Sequence, residues 1–221
     1  MFTFPKQAEF NRALPKSKIY AFAKPTRGVK DRIVSGIQDI VWKYKLAPET
    51  VNLPARHGIQ EIQVFEVALK TEELAEAVLH TIDKAIPSPI VFQITFEDRV
   101  RFSAGYKRPS DSDGSKNVIE AYFTTDWGPA DQSYPPLPIV LDMAALYEEM
   151  LCRVIPLSRR PGEPFEVLAQ RALKVRAQER ECKNLEIRLY KERQFNRKIY
   201  LNSELRDCLG DLEKLRSLYG T

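Results

Sequence analysis

The stretch Ile59–Leu69, which reads IQEIQVFEVAL, decides the fold class of this chain. Within it, Ile62 and Val64 alternate with Phe65 and Val67, so apolar side chains occupy both faces of an extended segment. A strand that is apolar on both faces is typical of the interior of a sheet. The sequence therefore predicts a sheet with this strand in its middle.

More strands and a helix follow along the chain. Thr71 and the acidic residues after it predict the capped start of a helix that ends before Pro87. Apolar runs then predict three strands, with a tight turn at Glu97–Asp98 and a polar loop around Gly114: Pro89–Phe96, Val100–Tyr106 and Val118–Thr125.

On the other side of Ile59, the pattern changes to helical spacing. Met1–Thr26 holds three prolines and is predicted to be an arm with at most short helical turns. Between Gly28 and Leu46 the apolar residues recur every three or four positions, which predicts an amphipathic helix ended by Pro48. Thr50–Leu53 is a candidate short strand.

The second half of the chain is mostly helical. A proline-rich extended segment, 128–138, leads into a predicted helix over Leu141–Ile155. We predict a mixed α/β fold: a compact domain of about four strands with flanking helices in 1–156, a linker in 157–164, and a long charged helical, coiled-coil-like segment in 165–221.

Two apolar stripes run along this C-terminal segment. Leu168, Val175, Cys182 and Leu189 recur every seven residues, and a second seam runs from Leu201 to Tyr219. The stripes are out of phase, so either the helix breaks near 196–203 to give a hairpin or each half faces a different partner. The partner-interface candidates are Leu201, Leu205, Leu212 and Leu215, and the tail is also a candidate for self-association.

Charge is distributed unevenly. Residues 1–60 carry 11 basic and 4 acidic side chains, whereas 111–155 carry 2 basic and 8 acidic ones. A basic segment is typical of contact with a polyanion. The candidates for contact with double-stranded DNA are Lys16, Lys18, Lys24, Arg27 and Lys30.

Catalytic motifs are scarce. The two histidines have no local partner pattern, and there is no glycine-rich phosphate loop. The order helix, strand, helix, strand nevertheless resembles the core of metal-dependent DNA nucleases, in which carboxylates hold Mg²⁺ near a lysine. Here Glu61 and Gln63, with Glu49 or Asn52 before them, are the alternative catalytic set, but glutamine replaces the lysine. We therefore expect no catalytic residues and no metal or other cofactor, with Mg²⁺ as the alternative.

The three cysteines, Cys152, Cys182 and Cys208, are widely spaced and form no zinc motif, which favours a reducing compartment. The first 30 residues lack the apolar core of a secretion signal, and no apolar run approaches the ~20 residues that span a bilayer. The sequence predicts a cytoplasmic protein without membrane contact.

Several segments together resemble a bacterial family catalogued as domain of unknown function 4391: Phe4-Pro-Lys6, Ile40–Pro48, Glu61–Glu66, Ile82–Pro87, Gly105–Lys107, Lys191–Lys198 and Leu201–Leu205. The resemblance covers nearly the whole chain. It implies a context of anti-phage or restriction-like systems, in which the gene lies between those of a helicase and a DNA methyltransferase. It brings no catalytic residues with it.

From the residues and this resemblance, we expect a non-catalytic accessory subunit of an antiviral, restriction-modification-like system. Such a subunit would bridge a helicase and/or a DNA methyltransferase through protein–protein contacts, and its basic ends would bind DNA. The alternative is a divergent metal-dependent nuclease effector of the same system that uses Glu61.

Overall fold

The computed structural model describes residues 1–109 and 117–218, with side chains for all of these except 108, 109 and 117. The chain divides into two compact units, Met1–Val154 and Ile155–Thr221. The loop predicted around Gly114 and the last seam residue, Tyr219, lie outside the described residues. In the described part of the chain, no helix is long and apolar enough to cross a membrane.

The first unit is built on one mixed sheet. Its strands are β1 (Glu9–Ala13), β2 (Ile37–Leu46), β3 (Ile62–Leu69), β4 (Ile90–Phe96), β5 (Arg99–Pro109), β6 (Asn117–Thr124) and the short β7 (Gly128–Pro129). Strands β1 to β6 lie side by side in chain order, and β7 pairs with β5. Only β3 and β4 are parallel; the other neighbours are antiparallel. The mixed α/β class is confirmed, with more strands than the four expected.

Helices flank this sheet in the first unit. After a 3-10 turn at Lys6–Ala8 come α1 (Lys16–Ala23), α2 (Arg27–Gly36), α3 (Pro48–Val51), α4 (Glu76–Lys84) and α5 (Met143–Val154). The parallel pair β3–β4 needs a crossover connection, and α4 supplies it. The turn at Glu97 joins β4 and β5 as predicted, with a positive φ of 53° at that residue.

The core of this unit confirms the central position of β3. Phe65 and Val67 pack with side chains of β2, β4, α1, α2 and α4 in one apolar cluster. Ile62 and Val64 point to the opposite face of the sheet and are also fully buried. Both faces of β3 are therefore covered, as its continuous apolar sequence indicates.

Four local predictions are wrong. Met1–Thr26, expected to be an arm with at most short helical turns, contains strand β1 and the eight-residue helix α1. The helix predicted over Gly28–Leu46 ends at Gly36, and the rest is strand β2, because its β-branched and aromatic residues pair with β1 and β3. The candidate strand at Thr50–Leu53 is the helical turn α3, in which the Thr50 hydroxyl accepts the Ala47 N–H at 2.8 Å. Thr71 caps no helix, since α4 begins only at Glu76.

The second unit is a helical hairpin. Helix α6 (Phe165–Lys191) and helix α7 (Phe195–Arg216) pack against each other. The break lies at 192–194, slightly before the predicted region 196–203. Of the two alternatives that the sequence left open, a hairpin or two halves that face different partners, the structure shows the hairpin, in place of a continuous coiled coil.

The segment predicted as a linker is tied to the hairpin. Glu163, 7% exposed, binds the guanidinium of Arg171 through two hydrogen bonds of 2.8 and 2.7 Å. Arg171 also donates to the carbonyls of Ser158 and Leu215. Arg160 reaches the carbonyl of Ser217 at 3.0 Å. Residues before α6 are thus fixed to the start of α6 and to the end of α7.

A disulfide joins the two helices of the hairpin. Cys182 and Cys208 are bonded, with their Cα atoms 5.9 Å apart. This pairing runs against the reducing compartment that the cysteine spacing favoured, because disulfides are rare in such compartments. The spacing gave no indication of the pairing, which depends on the turn between α6 and α7.

Candidate functional site

The residues of the alternative metal site lie around one lysine. Lys45 of β2 is paired in register with Gln63 of β3, and its Nζ lies 2.8 Å from Glu61 Oε2. The hydrogen bond with Glu61 raises the pKa of Lys45, and the charge of Glu49 adds to this rise. The structure therefore places Glu61 and Gln63 beside Lys45, with Glu49 near enough for its charge to act on this lysine. Sequence reasoning missed Lys45 because it was assigned to a helix, not to the strand beside β3.

This pair continues into a chain of polar contacts across the first unit. Ser88 Oγ donates to Glu61 Oε1 at 2.9 Å. Lys107 Nζ donates to the Ser88 carbonyl at 3.4 Å and lies 2.6 Å from Asp83 Oδ1. The Tyr122 hydroxyl donates to Asp83 Oδ2 at 2.9 Å. We call Lys45, Glu61, Asp83, Ser88, Lys107 and Tyr122 the polar network.

Asp83 lies deepest in the polar network. Its side chain is fully buried, and that of Lys107 is 10% exposed. Burial raises the pKa of Asp83, and Lys107 and Tyr122 oppose this rise. A Cβ at Gly105 would lie 3.1 Å from Asp83 Oδ2 and 3.2 Å from the Tyr122 ring, so glycine allows this close packing. The Asp83–Lys107 ion pair and the Tyr122 hydroxyl thus link α4 to β5 and β6.

The carboxylates of this region are engaged by neighbouring side chains. Among the described residues, no three His, Cys, Asp or Glu side chains are grouped so as to hold a metal ion. Both carboxylate oxygens of Glu61 are engaged, by Lys45 and Ser88. Glu66, on the other face of β3 from Gln63, pairs with Lys43 and accepts a hydrogen bond from Gln93 at 3.3 Å. As arranged, these carboxylates act as partners of lysines.

The predicted DNA-contact residues lie on and beside α1 and α2. Lys18, Lys24, Arg27 and Lys30 are exposed, and none of them has a carboxylate within 4 Å among the described residues. Lys30 Nζ lies 5.7 Å from the centre of the Tyr20 ring. We call these four residues the basic surface.

Lys16, the fifth predicted DNA contact, is placed differently. Its Nζ donates to the Ile37 carbonyl at 2.6 Å, which fixes the start of α1 against the start of β2. Burial lowers the pKa of Lys16, and the nearby charge of Lys70 lowers it further. This ammonium group already has a partner within the protein, so it is a weaker candidate for phosphate contact than the four exposed residues.

The predicted partner-interface leucines lie inside the hairpin. Leu201 and Leu212 are buried, and Leu205 and Leu215 are partly buried against the same apolar cluster, which includes Val175 and Leu185 of α6. The two seams of the sequence thus cover each other. In this conformation these four leucines pack within the chain's own hairpin.

Apolar side chains are exposed instead at the turn between the two helices. Tyr190, Phe195 and Tyr200 are 89%, 74% and 63% exposed, and Ile187 and Ile199 are also exposed. The same stretch, residues 187–200, has five basic residues and one acidic residue. We call it the hairpin end. Sequence reasoning passed over it because it searched for a continuous apolar seam.

Comparison with known proteins gives one match. A family model described as domain of unknown function (DUF4391) matches residues 2–212. No curated protein and no solved structure matches the chain. Because the family model covers both units almost completely, the chain belongs to the DUF4391 family.

Proposed function

We propose that this chain is a non-catalytic accessory subunit of a bacterial anti-phage or restriction-like system, acting in the cytoplasm. In this proposal the first unit contacts double-stranded DNA, and the chain joins a helicase and/or a DNA methyltransferase of the same system. The observation that carries the DNA contact is the basic surface, and the partner proteins follow from the context that the family resemblance implies.

The basic surface suits a polyanion because its charges are not neutralised within the protein. Exposed cations without carboxylate partners attract phosphates, and binding releases the counterions that surround the nucleic acid. Phosphate contacts of this kind carry no sequence information. The expected binding is therefore weak, independent of sequence and strongly dependent on salt.

A second candidate function is a divergent Mg²⁺-dependent nuclease. The observation that favours it is the placement of Glu49, Glu61 and Gln63 around Lys45, since lysine beside carboxylates is the combination such enzymes use. A metal ion there would have to displace Lys45 or Ser88 from Glu61. The accessory role therefore has the better support.

Salt-dependent binding of a labelled DNA duplex tests the proposed function. We expect full-length protein to bind at ~50 mM salt, with log K falling by about 0.9 per phosphate contact for each unit of log salt. The double variant Lys24→Glu, Arg27→Glu should bind more weakly and show a slope smaller by about 2. The matched control is Lys174→Glu, Arg180→Glu, which reverses two exposed cations of α6.

Two results would contradict this proposal. One is the absence of duplex binding by wild-type protein at low salt, and the other is equal binding by the basic-surface variant and its control. The same duplex, incubated with Mg²⁺, tests the second candidate. Cleavage that Glu61→Ala abolishes would assign nuclease activity to the chain and remove the non-catalytic role.

A further inference from the structure

The hairpin end combines exposed aromatic rings with exposed cations in a short stretch. Tyr190 closes α6, and Phe195 and Tyr200 lie in the first turns of α7. All three rings are more than half exposed. Large aromatic side chains in water are costly, because each leaves apolar surface that burial would remove. Their concentration at one end of a hairpin indicates that a ligand covers them.

The charge of the hairpin end limits what this ligand can be. Arg188, Lys191, Arg193 and Lys198 are exposed, and among the described residues no carboxylate lies within 4 Å of them. Arg197 has only a loose contact with Glu192, at 3.9 Å. A ligand that covers the rings must therefore also accept positive charge along its length. This requirement favours a polyanion over an apolar protein surface.

The turn that carries these residues is held in place. Glu192 Oε1 accepts the backbone N–H groups of Arg193 and Gln194 at 2.8 and 2.9 Å. These hydrogen bonds lower the pKa of Glu192. Glu204 lies close to the Tyr200 hydroxyl and raises its pKa. Rings and cations are thus presented from an ordered turn, which reduces the ordering cost of binding.

We propose that the hairpin end binds single-stranded nucleic acid. Bases that are not paired can stack on Tyr190, Phe195 and Tyr200, while the cations between the rings contact the phosphates. A duplex does not offer this contact, because its bases are already stacked on each other. This surface shares no residue with the basic surface, so the inference does not rest on the proposed function.

Binding of a fluorescently labelled oligothymidylate to the full-length protein tests the proposal. We expect wild-type protein to bind it and Tyr190→Ala, Phe195→Ala to lose roughly tenfold in affinity per ring. The exchange Tyr190→Phe, Phe195→Tyr keeps both rings and should keep the affinity. A matched control, Val167→Ala, Leu209→Ala, removes exposed apolar side chains elsewhere on the hairpin and should change nothing.

The folding of each variant must be checked before its binding is compared with that of wild type. Circular dichroism checks that each variant is folded, and Arg193→Glu, Lys198→Glu provides a second test if the alanine variant is not. Wild-type protein that does not bind oligothymidylate, or an alanine variant that binds it equally well, overturns the proposal. So does an exchange variant as weak as the alanine variant.

Duplex binding by the same variants keeps this result distinct from that for the basic surface. The alanine variant should bind duplex as wild type does. The variant Lys24→Glu, Arg27→Glu should keep most of its affinity for oligothymidylate, because it loses only the long-range attraction of its positive charges. If the alanine variant instead loses capture of the helicase or methyltransferase while it binds oligothymidylate normally, the hairpin end is a protein interface and the proposal is wrong.

Discussion

A buried ion pair fixes a segment whose composition is that of a flexible linker. The segment 156–164 has the prolines and glycine of a linker, yet Glu163 binds Arg171 through both carboxylate oxygens. Arg171 also donates to the backbone carbonyls of Ser158, before α6, and Leu215, near the end of α7. No local pattern predicts such a contact, because the carbonyl of Leu215 comes from the far end of the chain.

We expect Glu163→Gln to lower the free energy of unfolding of the hairpin by about 3 kcal/mol, because it leaves Arg171 buried without its countercharge. Urea unfolding followed by helical circular dichroism measures this loss. Glu181→Gln, an exposed change of the same charge on α6, is the control and should cost little.

The same pair gives the unfolding a pH dependence with a definite sign. The hydrogen bonds from Arg171 lower the pKa of Glu163 from its ordinary value of 4.5. Its contribution is therefore fully present above that value and disappears as the pH falls through the lowered pKa. The stability difference between wild type and Glu163→Gln should shrink in acid. A difference that stays constant down to pH ~2 would show that the charge of Glu163 is not the cause.

At the scale of the elements, the sequence was most informative where the apolar pattern was continuous. Strands β3, β4, β5 and β6 were predicted from such runs. Strand β2 was not, because its apolar residues also fit helical spacing and only pairing with β1 and β3 decides between the two. For the candidate site, Glu61 and Gln63 were identified from the sequence. Lys45 was missed, because it lies in β2, which the sequence pattern assigned to a helix.

The hairpin offers a prediction about its covalent link. The bond between Cys182 and Cys208 closes a loop with a sequence separation of 26. By the chain-entropy argument, such a loop contributes about 3 kcal/mol to stability. We expect Cys182→Ser, Cys208→Ser to lower the urea midpoint of the hairpin relative to oxidised wild type, whereas Cys152→Ser should not.

Reduction provides the internal check on this prediction. Dithiothreitol should bring wild-type protein close to the stability of the double variant and leave the variant itself unchanged. If the reductant lowers both equally, the effect does not come from this disulfide.

For the whole molecule, each of the two units contains an apolar cluster of its own. One cluster lies among β2, β3, β4, α1, α2 and α4, and another lies between α6 and α7. We therefore expect residues 1–154 to fold without the hairpin. Their tryptophan emission and cooperative urea unfolding should match those of the first unit in the full-length protein. A fragment that unfolds without cooperativity would show that the hairpin is required for this fold.

The order of the strands in the sheet has a consequence for synthesis on the ribosome. Because β1 to β6 lie side by side in the order in which they are translated, each new strand finds its neighbour already made. Contacts between segments close in sequence form quickly. No early strand therefore stays unpaired until a distant segment has been synthesised. The sheet can thus grow one strand at a time as the nascent chain emerges, and it is complete before the ribosome reaches the hairpin.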